Sequence, residues 1–226
     1  MIGIFDSGAG GLTALSELRR LLPSADICFF KDVKNAPYGT KSRRELIKLV
    51  ERDILKLYRT GADKILMACC TASTVYECLP DKMKKISLPI IEPTARAAAK
   101  ISTQGKIGVI ATEATVSSGA FSKALWKFST VKEVHELPLQ RLVGMVEEGS
   151  VDGRLKSAER DELSRLLSPI KNKIDTLILG CTHFPHLERE ISGCLPGVRL
   201  VSSSREGARE LGRLSKNRGK GRTFFL

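Results

Sequence analysis

Two short stretches of the chain end alike. Lys64-Ile65-Leu66-Met67-Ala68-Cys69 and Thr176-Leu177-Ile178-Leu179-Gly180-Cys181 are each an apolar run that stops at a small residue and a cysteine. Both read as strands that run into helices, Cys69-Cys70-Thr71-Ala72-Ser73 in one case and Cys181-Thr182-His183 in the other. Their thiols are therefore expected near the positive ends of helix dipoles, which favours thiolate. Of the three histidines only His183 stands two residues from such a thiol, whereas His135 and His186 read as structural or surface residues. Zinc held by Cys69, Cys70, Cys181 and His183 is the weaker reading, because adjacent strand cysteines point to opposite faces and no C-x2-C pair is present. A Cys-His hydrolase needs one thiol and one base, so a second symmetric thiol is superfluous for it. Removing a proton from one face of a carbon and returning one to the other uses both, and that is stereoinversion.

Two loops are placed to serve the same site. Asp6-Ser7-Gly8-Ala9-Gly10-Gly11 follows the first apolar run and precedes a helical pattern over Leu12 to Leu22. Its glycines permit tight turning and leave backbone N–H groups free for an anion. The spacing is not G-x-G-x-x-G and no Lys-Ser/Thr follows, so a nucleotide loop is not supported. Asp6 reads equally as a functional acid or as a helix cap. Ala36-Pro37-Tyr38-Gly39-Thr40 is a turn by composition, of interest because it follows the second strand on the same edge as Asp6 and Cys69.

The elements that must position these residues alternate. β-rich runs lie at Ile2 to Phe5, Asp26 to Lys31, Lys64 to Cys69, Leu88 to Ile91, Lys106 to Ala111, Val131 to Leu137, Asp175 to Gly180 and Val198 to Ser202, with helical patterns between them. Alternation of this kind predicts an α/β fold of mainly parallel sheets flanked by helices. Gly3-Ile4-Phe5-Asp6-Ser7 matches Gly108-Val109-Ile110-Ala111-Thr112, and Cys69 matches Cys181 at nearly the same offset. The repeat predicts two pseudo-symmetric lobes, residues 1–96 with 206–226 and residues 97–205, facing one cleft at the C-terminal ends of their strands. Ser42 and Glu45 form a capping box ahead of Leu46, Val50, Ile54 and Leu57 at helical spacing.

Composition narrows the setting. The 226 residues are long enough to bury a substantial core, and no run approaches the length of a membrane span. The start, Met1 to Asp6, lacks the basic and long apolar regions of a signal peptide, so a cytoplasmic protein is expected. Six cysteines in that compartment read as reduced thiols, with Cys28, Cys78 and Cys194 as small buried hydrophobes. The net charge of +12 is spread over helical segments mixed with acids, and the one dense basic cluster, Arg213, Lys216, Arg218, Lys220 and Arg222, has no aromatic residue interleaved to stack bases. Nucleic acid and membrane are not the expected partners, and a homodimer is left open.

With these residues assembled, the chain resembles the glutamate racemases of the cofactor-independent aspartate/glutamate racemase superfamily. The likeness is carried by Ile4 to Thr13, Pro37 to Ser42, Ala68-Cys69 with Thr71-Ala72-Ser73, Ile91-Glu92-Pro93, Val146 to Gly149 and Gly180 to Pro185. It implies that Cys69 and Cys181 are the acid/base thiols, with Asp6 assisting Cys69, His183 assisting Cys181 and Glu147 a further candidate. It assigns Ser7, Pro37, Tyr38, Gly39, Cys70, Thr71, Thr115 and Thr182 to substrate binding. It implies no pyridoxal phosphate and no metal, and a role in supplying D-glutamate for peptidoglycan. One departure stands out: the family's asparagine after the first cysteine is Cys70 here, and a thiol cannot supply an amide's paired donor and acceptor. The alternatives kept beside glutamate are aspartate or another amino acid as substrate, or a weakened homologue with a binding role.

Overall fold

The computed structural model describes residues 1–8, 10–148, 155–215 and 219–226. Ala9 of the glycine loop, Gly149, and Lys216 and Arg218 of the basic cluster lie outside the described residues. The eight expected strands form as β1 (Ile2–Asp6), β2 (Ile27–Lys31), β3 (Lys64–Met67), β4 (Ser87–Pro89), β5 (Lys106–Ala111), β6 (Glu133–Pro138), β7 (Thr176–Gly180) and β8 (Arg199–Ser202). A ninth, β9 (Thr223–Phe225), pairs with β2. They make two wholly parallel sheets, ordered β4-β3-β1-β2-β9 and β6-β5-β7-β8. Reading the second sheet in reverse, β8-β7-β5-β6, gives the order of the first, so β1 corresponds to β5 and β3 to β7. The central strands Ile2–Asp6 and Thr176–Gly180 are buried along their whole length, as parallel strands covered on both faces must be.

Helices fill the space between and outside the sheets. Helix α1 (Gly11–Leu21) follows β1, α2 (Arg43–Arg59) follows β2, and α3 (Cys70–Ser73) and α4 (Asp81–Lys84) lie between β3 and β4. Then come α5 (Ile91–Ile101), α6 (Glu113–Ser117), α7 (Ala120–Leu125), α8 (Gln140–Glu148), α9 (Ser157–Leu167), α10 (Glu188–Cys194) and α11 (Ser203–Leu214). The crossing from the first sheet to the second is made within α5, which packs on β7 and β8 as well as on α11 and α7. Ala95, Ala98 and Ala99 form its buried face, and their small side chains let it sit close between neighbours. Helix α11 contacts α1, β3 and β8, and it approaches so closely that a Cβ on Gly207 would stand 2.5 Å from Ile90 Cγ2. Helix α2 covers the opposite face of the first sheet, where Phe5, Ile54, Leu57 and Ile65 share one apolar cluster.

The capping box forms as read: Ser42 Oγ accepts from the Glu45 N–H at 3.3 Å, and Glu45 Oε2 accepts from the Ser42 N–H at 2.9 Å. Cys28 is buried, but Cys78 is exposed, which corrects its reading as a buried hydrophobe; the 3-10 turn over Tyr76–Cys78 leaves its thiol facing outward beside Arg43. No helix among the described residues is long and apolar enough to cross a membrane.

The buried face of α2 includes one acid, Asp53, whose partners are Tyr38 of the Pro37 to Thr40 turn and Arg52 of α2 itself. Tyr38 lies almost wholly inside the protein, its hydroxyl 2.5 Å from Asp53 Oδ2 and 2.7 Å from Asp32 Oδ2. Arg52 contacts both carboxylates. Burial pushes the Asp53 carboxyl up. At Asp32 burial acts in the same sense, but hydrogen bonds from Tyr38, Asn35 and Arg52 outweigh it and hold the group below the usual range. Tyr38→Phe deletes the donor these two acids share. It is expected to cost about 1–3 kcal/mol, seen as a lower urea midpoint at unchanged slope. An unchanged midpoint with a raised KM would show instead that the hydroxyl serves a substrate.

Candidate active site

The C-terminal ends of β1, β3, β5 and β7 open onto one narrow cleft, walled by both halves of the chain. Strand β1 delivers Ser7 and Gly8, β3 delivers Cys69, Cys70 and Thr71, β5 delivers Thr112, and β7 delivers Gly180, Cys181, Thr182 and His183. The turn after β2 contributes Pro37, Tyr38 and Gly39, and α8 contributes Gln140, Val143 and Glu147.

Cys69 stands at the N-cap of α3, where its sulfur lies 3.5 Å from the Ala72 N–H and 3.4 Å from Ser7 Oγ. Cys181 occupies the equivalent point after β7, with its sulfur 3.6 Å from His183 Nδ1. His183 Nε2 lies 3.2 Å from Glu147 Oε1, within ion-pairing distance though off the alignment of a hydrogen bond. Cys70, buried, lines the same cleft and also joins the apolar cluster around Ala68 and Ile178.

The expectation that helix dipoles favour thiolate is corrected. Burial pushes the Cys69 thiol up to about 12; a negative charge on Asp6 adds to this, and the contacts from Ser7 and Ala72 offset only part of it. Burial likewise raises Cys181, against the backbone N–H of His183, and it raises Cys70 as well. The physical reason is local. Helix α3 has four residues and Cys181 enters a 3-10 turn, so neither thiol meets the dipole of a long helix, while both lose their water.

Asp6 is wholly buried below the cleft. Its Oδ1 accepts from the Ser7 N–H at 2.9 Å, and its Oδ2 accepts from the Thr182 hydroxyl, on the other half, at 3.0 Å. Burial pushes this carboxyl up, while His183, Thr182 and the Ser7 and Gly11 amides pull it back in part. It is not the N-cap residue of α1, which is Gly10, although the amide of Gly11, the first residue of that helix, faces its carboxylate. That glycine and its neighbour are needed for close approach: a Cβ on Gly10 would stand 2.4 Å from Thr182 Oγ1, and one on Gly11 would stand 2.5 Å from Asp6 Cβ. A second link between the halves is a hydroxyl triad, with Thr71 3.0 Å from Thr112 and 3.1 Å from Thr115, and those two 2.9 Å apart.

Of the thirteen residues named from sequence, Ser7, Pro37, Tyr38, Gly39, Cys69, Cys70, Thr71, Glu147, Cys181, Thr182 and His183 share the cleft wall. Asp6 and Thr115 lie behind it, in contact with wall residues through Thr182 and Thr71. Tyr38 shows the cleft its ring and backbone, since its hydroxyl is turned to Asp32 and Asp53. Thr112 and Gln140 were not foreseen as wall residues. Thr112 carries a signal, a hydroxyl three residues before Thr115 that caps α6; Gln140 carries none. No lysine or arginine is among the described residues of the wall.

Such thiols should resist alkylation. Iodoacetamide at pH 8 is expected to label exposed Cys78 first and to leave Cys69, Cys70 and Cys181 unlabelled on the same timescale. Because the raised Cys69 pKa keeps the thiol protonated, its labelling by peptide mass mapping should rise about tenfold per pH unit from 8 to 10. Fast labelling of Cys69 at pH 8 would refute a protonated resting state.

Comparison with known proteins gives a consistent result. The family model for Asp/Glu/hydantoin racemases matches residues 18–211. A glutamate racemase of Aquifex aeolicus is 38% identical over 223 residues, covering 97% of this chain and 85% of that protein. One from Desulforudis audaxviator is 41% identical over 204 residues, covering 88% and 73%. Among solved structures, a glutamate racemase isoform from Bacillus anthracis superposes with a TM-score of 0.91 at 35% identity, covering 100% of this chain and 87% of that one. The Francisella tularensis glutamate racemase in complex with D-glutamate gives 0.87 at 31% identity, covering 99% and 86%. With the family model spanning most of the chain and relatives above 30% identity along nearly all of it, this chain belongs to the Asp/Glu/hydantoin racemase family, among its glutamate racemases.

Proposed function

We propose that the chain interconverts L- and D-glutamate without a cofactor, with Cys69 and Cys181 as opposed acid and base. The observation that carries this reading is the convergence of two buried thiols on one cleft, each at the end of an equivalent strand of two sheets with the same strand order. Glutamate binds with its α-carbon between the sulfurs. With the Cys181 proton passed to His183, that sulfur takes the α-proton as thiolate; the C–H electron pair stays on the carbon and spreads into the α-carboxylate. The opposite thiol gives its proton to the other face and becomes the thiolate. Configuration inverts, one proton has moved from carbon to sulfur and one from sulfur to carbon, and the reverse reaction exchanges the roles.

The α-proton of an amino acid is weakly acidic, so the base must be strong and the developing charge must meet donors already in place. Burial supplies the first requirement, because a thiolate whose conjugate acid has a pKa near 12 is more basic than one in water. The Ser7 hydroxyl beside Cys69 and His183 beside Cys181 are positioned to hold or relay the proton at each sulfur. Asp6 supports the Cys69 side through Ser7. Ser7, Thr71, Thr182 and the Pro37-Tyr38-Gly39 backbone bind the substrate's charged ends. Six unpaired cysteines suit a reducing cytoplasm, and the D-glutamate formed would enter peptidoglycan.

Circular dichroism with each glutamate enantiomer tests the reading; no interconversion in either direction would sink it. Cys69→Ser and Cys181→Ser should each lower kcat by about 10²–10⁴-fold, the usual worth of a general acid or base. Cys70→Ser should stay within about tenfold of the parent, as expected for a neutral wall contact. If Cys70→Ser abolishes turnover while Cys69→Ser does not, the pairing of the two half-molecules is off by one residue.

A further inference from the structure

Helix α8 turns one stripe of residues to the cleft: Gln140, Val143 and Glu147, spaced three and seven apart, all lie on its wall. The Glu147 end stands at the Cys181–His183 pair, since Glu147 Oε1 is 3.2 Å from His183 Nε2. Gln140 lies two turns earlier, about 10 Å along the helix axis. There it covers Gly39, on whose α-carbon a Cβ would come within 2.9 Å of Gln140 Oε1. That oxygen is buried and has no hydrogen-bond partner. A carbonyl oxygen left there without a donor is costly in a folded protein, and the amide turned by about 180° sets its NH2 at that point instead, a donor that calls for an acceptor.

The rest of the wall says what that is. Glutamate brings a second carboxylate to a cleft whose described wall has no lysine or arginine, so its distal end must be held by neutral donors. Gln140 is the one side-chain amide among the described wall residues, and it stands at the end of α8 away from the Cys181–His183 pair. An unpaired amide is free to turn its NH2 face inward. Resting on the racemase reading, we propose that Gln140 selects the substrate's side chain by donating an N–H to the distal carboxylate of glutamate.

The test measures kcat and KM for both enantiomers of glutamate in the parent, Gln140→Leu and Gln140→Glu, with thermal unfolding as a check on the fold. Leu removes the donor at similar size, and KM should rise about tenfold or more while kcat stays within about threefold, the loss of one hydrogen bond to a charged group. Glu sets a carboxylate against a carboxylate, and should move preference from glutamate toward glutamine, read as deuterium exchange at the α-carbon in D2O. A purely structural role for Gln140 would not reorder those two substrates. A Gln140→Leu KM within twofold of the parent overturns the proposal, and so does an unchanged glutamate-to-glutamine ratio in Gln140→Glu, which decides alone if the leucine variant fails to fold. A parent protein inert toward glutamate would instead overturn the racemase reading on which the proposal rests.

Discussion

The hydrogen bond from the Thr182 hydroxyl to Asp6 Oδ2 is the contact on which the rest of the site depends. Asp6 is wholly buried, and a buried carboxyl persists only if its oxygens are satisfied. Part of that satisfaction comes from the Ser7 and Gly11 amides of its own loop and part from across the molecule, from the residue that follows Cys181. Closure of the two halves and burial of Asp6 therefore require each other. The same closure removes water from both thiols, and loss of water is the largest influence on each of them. A protein that held its halves apart would keep the same residues and lose their chemistry, because in water a thiol of ordinary acidity is a weaker base toward carbon.

The fold makes that contact by repetition. Two parallel sheets with matching strand order each end a pair of neighbouring strands at the cleft: β1 beside β3 in one, β5 beside β7 in the other. Register then fixes the depth of each thiol relative to the adjacent loop. Phe5 pairs with Met67, so Ser7 and Cys69 leave their strands at the same level, and Ala111 pairs with Gly180, which does the same for Thr112 and Cys181. A slip of one residue in a strand would turn a thiol to the opposite face. Helices α5 and α11 lie between the sheets and set their separation, and the alanines of α5 with Gly207 of α11 make that separation small.

Much of this was legible in the sequence, for reasons that differ by element. The central strands were visible because parallel strands covered on both faces read as continuous apolar runs; β6 is half-buried with a mixed sequence, and the ninth is too short and too exposed to stand out. The thiols and Asp6 were found because they sit where such runs stop. Protonation was misjudged, since a dipole can be inferred from strand-to-helix order but the length of the helix and the depth of burial cannot. Thr112 and Gln140 escaped for another reason: they enter the cleft through contacts between the halves, with Thr71 and Gly39 as their neighbours, and such pairings have no local pattern. Cys78 was misplaced because composition alone does not say which way a 3-10 turn faces.

A wall without described lysine or arginine also bears on the third thiol. A fixed cation near the sulfurs would stabilise thiolate, lower the pKa and so weaken the base that carbon chemistry needs. Neutral donors stabilise developing charge on the substrate without that penalty, provided they are already aimed at it. Replacing a neutral amide by Cys70 adds no charge to the wall, because burial holds this thiol protonated. What the replacement removes is a pair of directed hydrogen bonds at one point, roughly 1.5–3 kcal/mol where the partner is charged. Under the proposed mechanism the acid–base pair keeps its electrostatics and only the grip on the substrate changes, which puts the consequence of Cys70 in recognition rather than in proton transfer.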